Sequence, residues 1–187
     1  MSKVVIFTAP SGAGKTTLVR HLLSQLKQLM FSVSATTRNK RSFEINGHDY
    51  YFLTTDEFEA KVRDEEFLEY EEVYRGFYYG TLKSEIERIW GLNKVVIFDV
   101  DVKGALAIKN HYGDDALAVF VKPPTLEILK QRLIDRSTET PESLAIRLKR
   151  VELEMTYEQL FDAVVVNDVL EDAKKEALKV VSDFINA

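Results

Sequence analysis

The feature that most constrains this chain is the stretch formed by residues 3–17, KVVIFTAPSGAGKTT. It begins with a short apolar run rich in β-branched residues, which predicts a buried strand. A glycine-containing turn follows, and then apolar residues recur at helical spacing, namely Leu18, Leu22, Leu26 and Leu29. The stretch therefore predicts strand, loop and helix in that order, with Gly14-Lys15-Thr16 at the helix start and the helix running to about Met30.

This order of elements is the context that a phosphate-binding loop requires. Glycines allow backbone N–H groups to curl around phosphate oxygens, and the helix N-terminus adds partial positive charge. We expect Lys15 to reach the terminal phosphates of a nucleotide and Thr16 to offer its hydroxyl to Mg²⁺. The consensus begins with glycine where this chain has Ala9, so the alternative is a helix that starts with Gly-Lys-Thr by chance.

Composition narrows the class of protein. The length of 187 residues suits one domain, and the net charge of −5 argues against nucleic acid as the main partner. The absence of cysteine excludes structural disulfides and cysteine–zinc sites and is compatible with a reducing compartment, so we expect a cytoplasmic protein. We predict no secretory signal and no membrane span, because no apolar stretch approaches ~20 residues.

The remaining pattern alternates strands with helices. Apolar runs at 95–98, 116–121 and 163–166 predict buried strands, and helical patterns lie between and after them. Such alternation predicts an α/β fold with a parallel sheet covered on both faces. Asp99 ends one predicted strand, at the carboxyl edge where ligands bind in such sheets.

Two segments fit that core poorly, because both are rich in charged or aromatic residues. We interpret residues 35–82 as a substrate-binding insertion and residues 124–150 as a mobile lid. The core of a single unit spanning 1–187 then consists of 1–34, 83–123 and 151–187. Most carboxylates of the acidic run at 56–72 are interpreted as a solvated helix face, and Glu69 is the exception.

Several motifs together resemble one family. They are APSGAGKTT (9–17), FSVSATTR (31–38), NGHDYYF (46–52), FLE (67–69), YYGT (78–81), DVDVKGA (99–105), PPTLEILKQRLIDRSTET (123–140) and VNDVL (166–170). Over essentially its whole length the chain resembles guanylate kinases. The resemblance implies a parallel-sheet kinase core with a phosphate-binding loop, a GMP-binding insertion and a helical lid. It also implies Mg²⁺-dependent transfer of the γ-phosphoryl group of ATP to GMP or dGMP, giving ADP and GDP, by a monomer or homodimer.

The resemblance also assigns site residues. For ATP it implies Ala9, Pro10, Ser11, Gly12, Ala13, Gly14, Lys15, Thr16, Thr17, Arg132, Arg136 and Asn167. For GMP it implies Ser34, Arg38, Arg41, Glu44, Tyr50, Glu69, Tyr79, Thr81, Asp101 and Arg147. The expected catalytic residues are Lys15, Arg132, Arg136 and Arg147. Mg²⁺ is expected on Thr16 and, through water, on Asp99.

The chemistry of these residue types fits those assignments. Arg38 and Arg41 supply planar forks suited to a dianionic phosphate, beside the hydroxyls of two tyrosines. An ionised Glu69 accepts the two adjacent N–H donors of a guanine edge, which adenine lacks. Ser34 and Thr81 can donate hydroxyl protons towards the other side of the base. The alternative for the arginines is a solvated loop.

Two other functions stay open at this point. An interaction module could keep the fold and lose the chemistry, although the loop lysine and the lid arginines are present. A kinase for another monophosphate, such as AMP or dTMP, is disfavoured by Glu69 and Thr81. Departures from the family pattern affect the stiffness of the GMP-binding loop and the hinge of the lid, and they are Ala9, Lys40, Phe43, Lys103 and Ser137.

Overall fold

A computed structural model describes residues 3–74, 76–135 and 141–187. Its strands are β1 (Val4–Thr8), β2 (Leu29–Phe31), β3 (Ala35–Thr36), β4 (Tyr51–Phe52), β5 (Phe67–Tyr74), β6 (Phe77–Leu82), β7 (Val95–Asp99), β8 (Ala116–Lys122) and β9 (Ala163–Val166). Its α-helices are α1 (Lys15–Gln25), α2 (Thr55–Arg63), α3 (Lys83–Gly91), α4 (Val102–Tyr112), α5 (Leu126–Asp135), α6 (Pro141–Met155) and α7 (Leu170–Asn186).

The larger sheet has the order β2-β7-β1-β8-β9, and every pair of neighbours in it is parallel. Successive residues of a strand face opposite sides, so Val5 and Phe7 of β1 pack towards α1 and α7. Val4 and Ile6 pack towards α3 and α4 on the other side. The predicted α/β fold with a parallel sheet covered on both faces is confirmed.

The first helix is shorter than the periodicity predicts. It ends at Gln25, and Leu26 adopts an extended conformation. Leu29, the last position of the predicted helical stripe, instead pairs with Val95 in the parallel sheet. The prediction of a helix reaching Met30 is therefore wrong, because pairing with a buried strand outweighs a local apolar spacing that suits both structures.

A second, four-stranded sheet of order β4-β3-β6-β5 lies within residues 35–82. The acidic run at 56–72 is divided between α2 and the edge strand β5, so a helix face is the wrong interpretation for its last part. The two-residue period of a strand gives Glu69 and Glu71 a common face, and both line the cleft between the two sheets. The helical interpretation failed because acidic residues are common on solvated helices and uncommon in strands.

The cleft opens at the carboxyl ends of the central strands. The loop after β1 and Asp99 at the end of β7 both lie there, which is where open α/β sheets bind ligands. Within the part of the chain that the structure describes, no helix has both the length and the apolarity that a bilayer crossing demands.

Candidate active site

The loop after β1 has a backbone that only glycine adopts easily. Gly12 and Gly14 have φ angles of 92° and 95°, and Gly14 immediately precedes α1. The Asn167 amide donates to the carbonyl of Ala13 at 2.7 Å, and a Cβ at Gly14 would collide with that amide. Asn167, buried beside the loop, therefore holds its shape from the far end of the sheet.

Lys15, Thr16 and Asp99 form a compact polar cluster at the start of α1. The Lys15 ammonium donates to the carbonyl of Val100 at 2.7 Å and forms an ion pair with Asp99. The Thr16 hydroxyl donates to Asp99 Oδ2 at 2.9 Å. A hydroxyl and a carboxylate side by side are hard oxygen donors of the kind Mg²⁺ takes together with water and phosphate oxygens. Among the described residues, no group of three or more His, Cys, Asp or Glu side chains is placed to hold a metal ion.

Glu69 lies in the narrower half of the cleft with Ser34, Tyr79 and Gly80. The Thr81 hydroxyl donates to Glu69 Oε1 at 2.6 Å and fixes the carboxyl group. Burial raises the pKa of Glu69 to about 7, although that hydrogen bond opposes the shift. A group with two acceptor oxygens is thus held in a buried setting, where it discriminates strongly between partners that do and do not donate.

Arg38 is held by Glu44 at the outer side of this pocket. Its two Nη atoms donate to the Glu44 carboxylate at 3.0 and 2.7 Å, and this pairing lowers the pKa of Glu44 to about 2. The guanidinium also lies over the ring of Tyr50, which makes an edge contact with Tyr79. Burial raises the pKa of Tyr50, so its hydroxyl remains a donor.

Arg41 contacts Glu44 through its backbone, whereas Arg38 does so through its side chain. The backbone N–H of Arg41 donates to Glu44 Oε2 at 2.7 Å, while its side chain is exposed. Glu44 therefore stabilises the turn that carries both arginines by accepting a hydrogen bond from each of them.

The arginines expected from the lid occupy three different situations. Arg132 on α5 donates to the carbonyl of Asn167 at 3.1 Å, beside the phosphate loop. Arg147 on α6 lines the wider half of the cleft together with Lys15 and Thr16. Arg136 lies outside the described residues.

The two halves of the cleft form one continuous space. Tyr50, Val73, Asp99 and Asp101 line both the wider half and the narrower half. The structure thus brings the phosphate loop and the surroundings of Glu69 to opposite ends of one cavity. Among the lining residues that sequence reasoning did not single out are Glu71, Val73, Arg150 and Glu154. A signal existed for the last two, since their i,i+4 spacing suits a helical ion pair.

A parallel sheet with a glycine-shaped phosphate loop at its carboxyl edge, and a second small sheet across the cleft, defines a phosphate-binding-loop kinase. Comparison with known proteins narrows this class. The sequence profile of the family described as guanylate kinase matches residues 1–185. The chain therefore belongs to the guanylate kinase family.

Curated relatives are similar over nearly the full length. The chain is 49% identical to a guanylate kinase of Porphyromonas gingivalis over 186 residues, covering 99% of each chain. It is 48% identical to one of Bacteroides thetaiotaomicron over 184 residues, covering 98% of this chain and 90% of the relative. A crystal structure of guanylate kinase from Anaplasma phagocytophilum matches with a TM-score of 0.77 at 25% identity, over 97% of this chain and 85% of that one.

Proposed function

We propose that this protein transfers the γ-phosphoryl group of ATP to GMP, giving ADP and GDP. One observation carries the proposal: a phosphate loop with its lysine and a buried glutamate fixed by Thr81 face the same cavity. The loop suits the triphosphate of ATP, and the glutamate suits a guanine base. Membership of the guanylate kinase family supports the pairing of these two substrates.

The base is selected by the Glu69 carboxylate. A guanine edge presents two adjacent N–H donors, and both oxygens of an ionised carboxylate can accept them. The Thr81 hydroxyl donates to Oε1 and so restrains the rotation of the carboxylate. AMP would leave the buried carboxylate badly paired, which costs ~1–3 kcal/mol or more for a charged group.

The phosphate of GMP is bound at the cluster formed by Arg38, Arg41, Tyr50 and Tyr79. Glu44 holds Arg38 and the Arg41 backbone in one turn, so the cationic fork is oriented before the substrate arrives. Burial raises the pKa of Tyr50, so its hydroxyl can donate to a phosphate oxygen.

Phosphoryl transfer then requires positioning and charge neutralisation more than proton transfer. The acceptor phosphate has a second pKa near 6 and is largely deprotonated at neutral pH, so no general base is needed. Lys15 stabilises the charge that develops on the γ-phosphoryl oxygens, and the lid arginines Arg132, Arg136 and Arg147 add to it. Thr16 and, through water, Asp99 would hold Mg²⁺, which supplies neutralisation of the β- and γ-phosphates when bound.

We also propose that residues 35–82 and 124–150 close over the substrates. Among the arginines of the lid, Arg132 lies on α5 and Arg147 on α6, so a movement of these helices would carry both side chains with the lid. Hydrogen exchange with and without a bisubstrate analogue tests this, and unchanged protection in both segments would contradict it.

The reaction is tested by incubating the protein with ATP, Mg²⁺ and each of GMP, dGMP, AMP, dTMP and UMP. Phosphorus NMR should show ADP and GDP forming together, with little inorganic phosphate, and GMP should exceed AMP in kcat/KM by at least ~10³. Binding of GMP without turnover would indicate an interaction module instead. Preference for AMP or dTMP would indicate another monophosphate kinase.

A further inference from the structure

Arg150 on α6 joins three separate parts of the molecule. Its Nε donates to Glu154 Oε1 on the same helix at 2.7 Å, and its Nη2 donates to Asp101 Oδ2 at 3.1 Å. Its Nη1 lies 3.4 Å from the carbonyl oxygen of Val73 on β5. One side chain thus links the helix that carries Arg147 to the core and to the smaller sheet.

Two of the three partners of Arg150 lie where the two halves of the cleft meet. Val73 and Asp101 each line both halves. Asp101 also caps α4 by accepting from the N–H of Gly104 at 2.9 Å. Gly104 in turn adjoins Glu69, since a Cβ added there would lie 3.0 Å from Glu69 Oε2 and 3.2 Å from Asp101 Oδ1. A shift of Asp101 would therefore be felt by the carboxyl group proposed to read the base.

The charges around Asp101 explain why it needs a cationic partner. Glu69 and Glu71 line the same pocket, so three carboxyl groups are gathered there. Lys103 pairs with Glu71 at 2.8 Å but is 72% exposed, and an exposed pair contributes little. The Arg150 guanidinium, with Nη2 3.1 Å from Asp101 Oδ2, places a positive charge directly against this carboxyl group.

The donors of Arg150 are directed to two carboxylates and a carbonyl, which join α6 to the core and to β5. We propose that Arg150 is a positioning residue that fixes Asp101 and β5 against α6 and so keeps the guanine pocket aligned with the phosphate side of the cleft. This inference rests on the proposed function, because it concerns the binding of GMP in that pocket.

The test measures the kinetic constants and GMP affinity of Arg150→Gln and Arg150→Lys. The control is Lys149→Gln, which also removes one positive charge from α6 but at an exposed position. For Arg150→Gln we expect KM and Kd for GMP to rise about tenfold, while KM for ATP stays within about threefold. Arg150→Lys should recover part of the loss, since an ammonium can pair with Asp101 but cannot form the fork. Lys149→Gln should behave like the parent.

A double-mutant cycle with Asp101→Asn identifies the route of the effect. Arg150→Gln made in the Asp101→Asn background should raise KM for GMP by no more than about twofold, because the partner through which it acts is already altered. If Arg150→Gln does not fold, Arg150→Lys is carried through the same cycle.

Three results would overturn the inference. Additive effects in the cycle would mean that Arg150 does not act through Asp101. A rise in KM for ATP or a fall in kcat, with GMP binding unchanged, would make Arg150 a phosphate ligand. A lower melting temperature with parental kinetic constants would make its role merely structural. By contrast, a parent protein that does not phosphorylate GMP would refute the proposed function itself.

Discussion

The two halves of the cleft are built in different ways. The phosphate loop is one contiguous stretch after β1, and its shape comes from backbone angles at Gly12 and Gly14. The proposed guanine pocket gathers side chains from separate elements, among them Glu69 on β5, Thr81 on β6 and Asp101 before α4. The first half therefore depends on backbone conformation and the second on charged side chains, so substitutions should separate ATP effects from GMP effects.

The substitution with the largest expected effect impairs only the phosphate half of the cleft. Lys15→Ala should lower kcat by at least about 10³-fold, because the charge developing on the γ-phosphoryl oxygens loses its nearest fixed cation. Binding of GMP, measured by calorimetry, should stay close to that of the parent, since Lys15 contacts Asp99 and Val100 and not Glu69. Turnover within tenfold of the parent would mean that this loop is not the ATP site.

The matching change in the other half is Glu69→Gln. It keeps the shape and one acceptor but presents an NH₂ group to a guanine donor, so kcat/KM for GMP should fall roughly 10²-fold. KM for ATP should stay within a factor of about three, because Lys15 and the lid arginines act on phosphates. A comparable loss of ATP affinity would show that the two halves are not separable.

Substituting one glycine in each half of the cleft tests the same difference, with a smaller expected effect. The methyl group added in Gly14→Ala would collide with the Asn167 amide, and the φ of 95° at this position disfavours any residue but glycine. The methyl group added in Gly80→Ala would lie 2.8 Å from the Glu69 carbonyl oxygen. We expect Gly14→Ala to raise KM for ATP about tenfold and Gly80→Ala to raise KM for GMP by a similar factor. Gly91→Ala is the matched control, since nothing lies near its added methyl group. Equal effects of both glycines on both substrates would contradict the division.

The smallest expected effect is a change in the number of protons that the protein releases when GMP binds. The pKa of Glu69 is raised to about 7 by burial, so at pH 7 roughly half of the molecules carry its proton. GMP needs the ionised form, and its affinity should therefore rise as the pH increases through 7. Calorimetry in buffers of different ionisation enthalpy should detect roughly half a proton more released by the parent than by Glu69→Gln. Equal proton release would mean that Glu69 does not ionise on binding.

The difference between the contiguous phosphate loop and the pocket assembled from separate elements explains which features the sequence could predict. The loop was found from its strand, glycines and following lysine, because all the information is contiguous. The end of α1 was mistaken because Leu29 satisfies a helical spacing and also pairs with Val95, which only the fold brings near.

The guanine pocket could be predicted only in part. Glu69 was assigned by the resemblance, and the chemistry of its side chain agreed, but its place on a strand was not predicted, since the acidic run looked helical. Resemblance placed Asn167 near the adenine of ATP, and that remains a prediction. Its contact with Ala13, like that of Arg150 with Asp101, spans distant parts of the chain and has no local signal.

The most direct test of the account is the ratio of kcat/KM for GMP to kcat/KM for AMP, measured side by side in the parent and in Glu69→Gln. The parent should favour GMP by at least ~10³, because a buried carboxylate rejects a base without the matching donors. In the variant the ratio should fall by about 10²-fold, with activity on AMP unchanged or slightly higher. The same ratio in both proteins would contradict the assignment of the guanine site and leave Glu69 as one more acid of the run at 56–72.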